Sequence, residues 1–210
     1  MNGLRRHSLV TLLQAPEAGN EADRVLADRW QAAGRPYVVS RRAEPSHVAL
    51  GFCTVDVRFP DLRPRRIAAR TALRQVIDVV RPPRLGEIAG CPAAQIHAAA
   101  FARLAEAADA AGIDIRVYGS WMWQALTGER HVRDGSDLDV LVNVADVDEA
   151  EHVARFLERA EAGLAFKLDG ELSIAGLGEV HWREIRHAKA EVLVKSVDSL
   201  RLMARVELRS

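Results

Sequence analysis

Two short runs in this 210-residue chain combine residue types that do chemistry. The first is Val117-Tyr118-Gly119-Ser120; the second, after an interval of sixteen residues, is Asp137-Leu138-Asp139 leading into Val140-Leu141-Val142. If Gly119-Ser120 closes a strand and opens a helix, the glycine lets backbone come close to a ligand and the helix N-terminus offers amide donors to an anion such as phosphate. Residues i and i+2 of a strand share a face, so Asp137 and Asp139 would stand side by side while Leu138 and Val140 enter the core. Two carboxylates together with phosphate oxygens are the ordinary way Mg²⁺ is held. A metal held there neutralises charge on the entering and leaving oxygens of an in-line attack at phosphorus.

These residues need a strand, a helix and a second strand to position them. Ile113 to Tyr118 alternates as a strand, Trp121 to Leu126 has helical composition, and Asp137 to Val144 is strand-like. Ahead of them, Ala93 to Ala111 carries Ile96, Ala100, Leu104, Ala107 and Ala108 at helical spacing between Pro92 and Gly112. Behind them, Asp146 to Ala162 reads as a helix. Three strand-like pieces then follow, around Asp169-Gly170, Gly176 to Gly178 and Val192-Leu193-Val194. Further toward the start, strands are expected over His7 to Leu13, Pro36 to Ser40 and His47 to Val57, with a helix from Glu21 to Ala33; Arg65 to Val80 has no clear period. Arg81-Pro82-Pro83-Arg84, with two residues that cannot continue a helix or donate to a sheet, is the expected linker between units 1–82 and 83–210.

Composition narrows the class. Half the residues are hydrophobic and 28% charged, which excludes a disordered or fibrous chain. No apolar run is long enough to cross a bilayer and the start lacks a signal-peptide core, so a cytoplasmic protein with no membrane partner is expected. Cys53 and Cys91 have neither paired spacing nor neighbouring ligands, and His181 and His187 lack a third ligand, so no disulfide framework or zinc site is expected. The 29 basic and 29 acidic residues cancel, but through Pro92 there are 15 Arg against 9 acids (+6), leaving 14 against 20 (−6) beyond it. A basic half joined to an acidic one points to two units with different partners, and zero net charge argues against nucleic acid.

The two motifs, extended as Arg116 to Gly128 and Gly135-Ser136-Asp137-Leu138-Asp139-Val140-Leu141, resemble the nucleotidyltransferase superfamily. Within it they look like the phosphoribosyl-dephospho-CoA transferases, also called malonate decarboxylase holo-acyl-carrier-protein synthases. Arg6-His7, Gly34-Arg35-Pro36, Pro82-Pro83, Asp169-Gly170-Glu171, Trp182-Arg183-Glu184 and Val192-Leu193-Val194-Lys195 extend the likeness thinly over most of the chain. The resemblance implies an α+β protein: a C-terminal nucleotidyltransferase domain with a mixed sheet and flanking helices, preceded by a smaller α+β domain contacting donor or carrier. It implies transfer of phosphoribosyl-dephospho-CoA from triphosphoribosyl-dephospho-CoA to a serine of the apo acyl-carrier subunit of malonate decarboxylase, releasing pyrophosphate. It also implies that Gly119 and Ser120 take the leaving phosphates and that Asp137 and Asp139 bind Mg²⁺.

The superfamily usually has a third carboxylate on a later strand. Asp169, Glu171, Glu179 and Glu184 all qualify. Glu171 is favoured because apolar Leu172 and Ile174 follow it, with Asp169 nearly equal, the two flanking Gly170 in an expected hairpin. Such a group would complete the metal site or take the proton of the carrier serine. Lys195 at the end of its strand is a candidate phosphate contact, and Trp123, with Trp121, a candidate for stacking on adenine. Arg5, Arg6, Arg41 and Arg42 are candidates for the rest of a long polyanionic donor or an acidic carrier surface. Two rival readings share the motifs: a transferase using an ordinary nucleotide on another acceptor, and a non-catalytic binding module.

Overall fold

The alternating and helical patterns resolve into two sheets and six α-helices among the residues that a computed structural model describes, namely 4–40, 46–56, 63–187 and 189–209. Arg41 and Arg42 lie outside them. The chain groups into two compact units: one of Met1–Pro82, Leu126–His131 and Val197–Ser199, the other of Pro83–Ala125, Val132–Ser196 and Leu200–Ser210. Among the described residues no helix is long and apolar enough to cross a membrane.

In the first unit the elements run β1 (Leu9–Leu12), β2 (Glu17–Ala18), α1 (Glu21–Ala32), β3 (Tyr37–Val39), β4 (His47–Thr54), β5 (Arg65–Ala72) and β6 (Val76–Val80). The sheet order is β2-β5-β4-β3-β1-β6, and every pairing is antiparallel. α1 starts where it does because the Asn20 side chain accepts the Asp23 N–H at 2.9 Å and acids fill the first turn. It buries Ala27 and Trp30, and Trp30 lies 5.1 Å from Phe52, which Tyr37 meets edge-on at 5.5 Å. The ambiguous stretch after Arg65 is two strands joined by a 3₁₀ turn, Leu73–Gln75, which is why no single period ran through it. At the sheet's edge, β6 leaves Ile77, Val79 and Val80 exposed. Cys53 is buried and Cys91 half-buried, both as free thiols.

The second unit runs α2 (Leu85–Ala89), α3 (Ala98–Ala110), β7 (Ile115–Val117), α4 (Gly119–Thr127, of which Leu126 and Thr127 group with the first unit), β8 (Leu138–Val144), α5 (Val147–Glu161), β9 (Leu168–Ile174), β10 (Gly178–His181), α6 (Trp182–Arg186), β11 (Glu191–Lys195) and β12 (Leu200–Ala204). Its sheet, β12-β11-β10-β9-β8-β7, is mixed: β8 and β9 are parallel and the other pairs antiparallel. One face presents Leu138, Val140, Val142, Leu168, Leu172, Val180, Val192 and Val194 to the core. There Phe101 and Leu104 of α3, Val153 and Leu157 of α5 and Trp182 of α6 belong to the same buried cluster.

Two expectations need correction, and three short elements went unread. The helix read from Ala93 to Ala111 begins only at Ala98, because Pro92–His97 forms a 3₁₀ segment. The elements α2, α6 and β12, each five residues, were too short to show a period. Gly170 does not turn a hairpin: it sits inside β9, and the turn to β10 comes at Ala175–Leu177. Gly170 is there because β8 presses on it. A Cβ at this position would lie 2.7 Å from Val140 Cγ2 and 3.0 Å from the Val140 carbonyl carbon. Gly170→Ala therefore forces the parallel β8–β9 pair apart, and urea unfolding should show a loss of about 3 kcal/mol.

Candidate active site

Gly119 is the first residue of α4, two positions beyond the end of β7, so the expected strand-glycine-helix junction is present. Its φ is +67°, a conformation that glycine adopts without strain. Directly against it stands the carboxylate of Asp139: a Cβ at Gly119 would lie 2.7 Å from Asp139 Cγ and 3.2 Å from Asp139 Cβ, and would overlap Oδ2. The Tyr118 N–H donates to the Asp139 carbonyl at 3.0 Å, which fixes this approach through the backbone. Ser120 follows on the helix, half-buried. Asp137 is exposed one residue ahead of β8. It is reached through a loop tied by Gln124 Oε1 accepting from the Val132 N–H at 2.7 Å and Ser136 Oγ accepting from the Arg133 N–H at 2.9 Å.

The register of the sheet decides which carboxylates share the face. Asp139 pairs with Asp169 and Leu141 with Glu171 across the parallel β8–β9 ladder. His181 pairs with Glu171 across β9–β10, and Glu179 with Lys195 across β10–β11. Residues paired in register point the same way. One face therefore carries Asp139, Asp169, Glu171, Glu179, His181 and Lys195, opposite the apolar face. Asp169 is the carboxylate level with Asp139, and Glu171 lies one step deeper along β9, its side chain only 6% exposed.

Each acid on this face has its own environment. Asp169 Oδ1 accepts from Gly170 N–H at 2.9 Å and lies 2.6 Å from His181 Nε2. The His181 hydrogen bond holds its carboxyl below the usual range, against burial that opposes it. It stays ionised at neutral pH, which suits a cation ligand better than a proton acceptor. Glu171 Oε1 meets Lys195 Nζ at 2.6 Å, so two residues read as separate site candidates form one ion pair. Glu184 lies on α6, and its Oε2 accepts the Leu193 N–H at 2.8 Å. Glu179 is buried on β10. Trp123 is 7% exposed, which leaves little ring for stacking on a ligand, and Trp121 is in the core edge-on to Phe101 at 5.0 Å.

The family described as phosphoribosyl-dephospho-CoA transferase MdcG, C-terminal domain, matches residues 84–206, and its N-terminal domain matches residues 5–82. The chain belongs to the phosphoribosyl-dephospho-CoA transferase family. Relatives bearing that name include one from Xanthomonas campestris pv. campestris (strain 8004), 36% identical over 212 residues covering 97% of this chain and 95% of the relative. One from Bradyrhizobium diazoefficiens is 35% identical over 184 residues, 88% of this chain and 80% of that protein. No solved structure matches.

Within this phosphoribosyl-dephospho-CoA transferase family member, the residues that sequence reading missed are those that mount β9. Trp182 Nε1 and Arg183 Nη2 both donate to the Leu168 carbonyl at 3.1 Å, and the Arg183 guanidinium grips Glu161 at 2.9 and 2.6 Å while lying 4.1 Å above the Trp182 ring. Trp182-Arg183-Glu184 was visible as a string, but its target on β9 depends on tertiary register. Glu161 is depressed first by its Arg183 hydrogen bonds, which outweigh burial. A carboxyl with a folded pKa below its unfolded one contributes stability above the unfolded pKa that is lost as pH falls through the folded one. Melting temperature should therefore drop on acidification below about pH 4.3, the ordinary glutamate value. Glu161→Gln should be less stable at pH 7 and show a shallower acid slope.

Proposed function

We propose that this chain transfers phosphoribosyl-dephospho-CoA from its triphosphate precursor to a serine of the apo acyl-carrier subunit of malonate decarboxylase, on a nucleotidyltransferase-type scaffold. Family membership supports the group transferred. The approach of Gly119 to the Asp139 carboxylate is the observation that carries the site. The serine oxygen bonds to the innermost phosphorus of the donor, the bond from that phosphorus to pyrophosphate breaks, and the serine proton leaves to a base. The amides at the start of α4, with Ser120, bind the departing phosphates.

Asp139 and Asp169, level on adjacent parallel strands, offer hard oxygen donors with Asp137 close by in sequence, and a side chain at Gly119 would fill the approach to the Asp139 carboxylate. This set fits Mg²⁺. Among the described residues no group of three or more His, Cys, Asp or Glu forms a ready cage, and Mg²⁺ ordinarily takes one or two carboxylates and completes its shell with water and substrate phosphate. Held by Asp139 with one further carboxylate, Asp169 across the ladder or Asp137 ahead of the strand, the ion would neutralise charge on the phosphates being separated. Lys195 balances Glu171 behind them and keeps the deeper part of the face from accumulating negative charge. In the N-terminal unit, Arg5 and Arg6, with Arg41 and Arg42, contact the donor or the carrier.

Intact-mass spectrometry of the apo-carrier subunit incubated with the enzyme, Mg²⁺ and triphosphoribosyl-dephospho-CoA tests the reading. The carrier should gain one phosphoribosyl-dephospho-CoA, and should gain nothing with the Asp137→Ala/Asp139→Ala enzyme or with ATP as donor. An unmodified carrier with the parent enzyme overturns the acceptor and donor assignment, and modification by the double variant overturns the site.

A further inference from the structure

We propose that His181 is a positioning residue that fixes the orientation of the Asp169 carboxylate and leaves its second oxygen free for a divalent cation. The inference rests on the reading of Asp169 as a ligand. His181 is the N-cap of α6, and its Nδ1 accepts the Arg183 N–H at 3.1 Å. A nitrogen that accepts carries no proton, so the proton of the neutral ring is on Nε2. Nε2 then donates to Asp169 Oδ1 at 2.6 Å. Gly170 N–H donates to that same oxygen. Two donors on Oδ1 stop the carboxylate rotating, although its side chain is 46% exposed, and leave the lone pairs of Oδ2 for a ligand.

The ring itself is held. It stacks on Trp182 at 16°, with centroids 6.4 Å apart, and Trp182 is 1% exposed and tied to the Leu168 carbonyl. The same bonds exclude His181 as the base that takes the serine proton. Its one lone pair is occupied by the Arg183 N–H, and its one proton faces a carboxylate. Its chemical part is therefore that of an outer partner, whose loss ordinarily weakens metal binding by 10–100-fold.

Two substitutions separate orientation from capping. In His181→Asn, an amide oxygen near the place of Nδ1 still caps α6 but nothing reaches Asp169; in His181→Gln, an amide nitrogen near the place of Nε2 still donates to Asp169. Binding of Mn²⁺ alone, followed by electron paramagnetic resonance with the melting temperature recorded beside it, is the readout. Expected are a Kd raised about 10–100-fold in His181→Asn at a nearly unchanged melting temperature, and recovery of most of the affinity in His181→Gln. Parental Mn²⁺ affinity in His181→Asn while Asp169→Asn is weakened, or a His181→Gln variant as weak as His181→Asn, overturns the positioning role. Parental affinity in Asp169→Asn overturns the ligand reading beneath it, and the positioning role with it.

Discussion

Gly119→Ala should reduce the rate of carrier modification by about 100-fold or more, on the scale expected when a reacting group is displaced by an ångström. Two costs coincide at this position. At φ +67° an L side chain is strained by about 1–2 kcal/mol. The added methyl also overlaps the Asp139 carboxylate, and an aspartate has no long flexible stem on which to retreat. Asp139 must turn away, and the face loses the acid that is level with Asp169. The fold should survive, with a melting temperature lowered by only a few degrees, because the clash is with the Asp139 side chain and not with backbone. Pyrophosphate release timed alongside thermal melting distinguishes this result from simple unfolding; a variant that keeps parental turnover would show that the close approach has no part in the reaction.

Lys195→Met should be the most destabilising single change on the polar face, costing about 3 kcal/mol. Removing the ammonium takes the Lys195 partner from the Glu171 carboxylate at a place where its side chain is 6% exposed. The value belongs at the low end of what broken buried pairs cost because Lys195 retains 27% of its own exposure. Lys195→Met/Glu171→Gln should recover most of the loss, since no full charge is then left buried. Chemical denaturation of the two variants measures this directly. The same proteins decide whether Lys195 also meets the donor: a donor KM that is unchanged in the double variant leaves Lys195 with its partner alone, and a raised one gives it a substrate contact as well.

The strand-glycine-helix junction was legible because its logic is local: a glycine and serine between a strand and a helix need nothing but chain geometry to be read. The pairing of acids at i and i+2 assumed that both lie in the strand, and Asp137 falls one residue ahead of β8. Asp169 and Glu171 could not be separated that way, because choosing between them requires the β8–β9 register, and that register is set by contacts across thirty positions of chain. Gly170 was misread for a related reason. Glycine marks turns and close approaches alike, and only the neighbouring strand, with the Val140 carbonyl against it, tells them apart. His181 was weighed as a zinc ligand beside His187, which caps the other end of a single short helix and is exposed. Alanine-rich sequence ran on through Pro92–His97 without marking where α3 begins, since alanine tolerates the 3₁₀ turn as readily as the helix.

The parallel pairing of β8 with β9 has a kinetic side. Two antiparallel strands can close through a tight turn, but this pair is joined by a crossover that includes all of α5, so its ladder must close a long loop. Pairings of this kind bear their loop-closure entropy before they return any contact, and they are intrinsically slow. Asp139 and Asp169 thus become neighbours late in folding, after the segments carrying them have their local shape. A newly made chain would spend its early lifetime with Asp139 and Asp169 apart, and the face that carries them is assembled only when the crossover is complete.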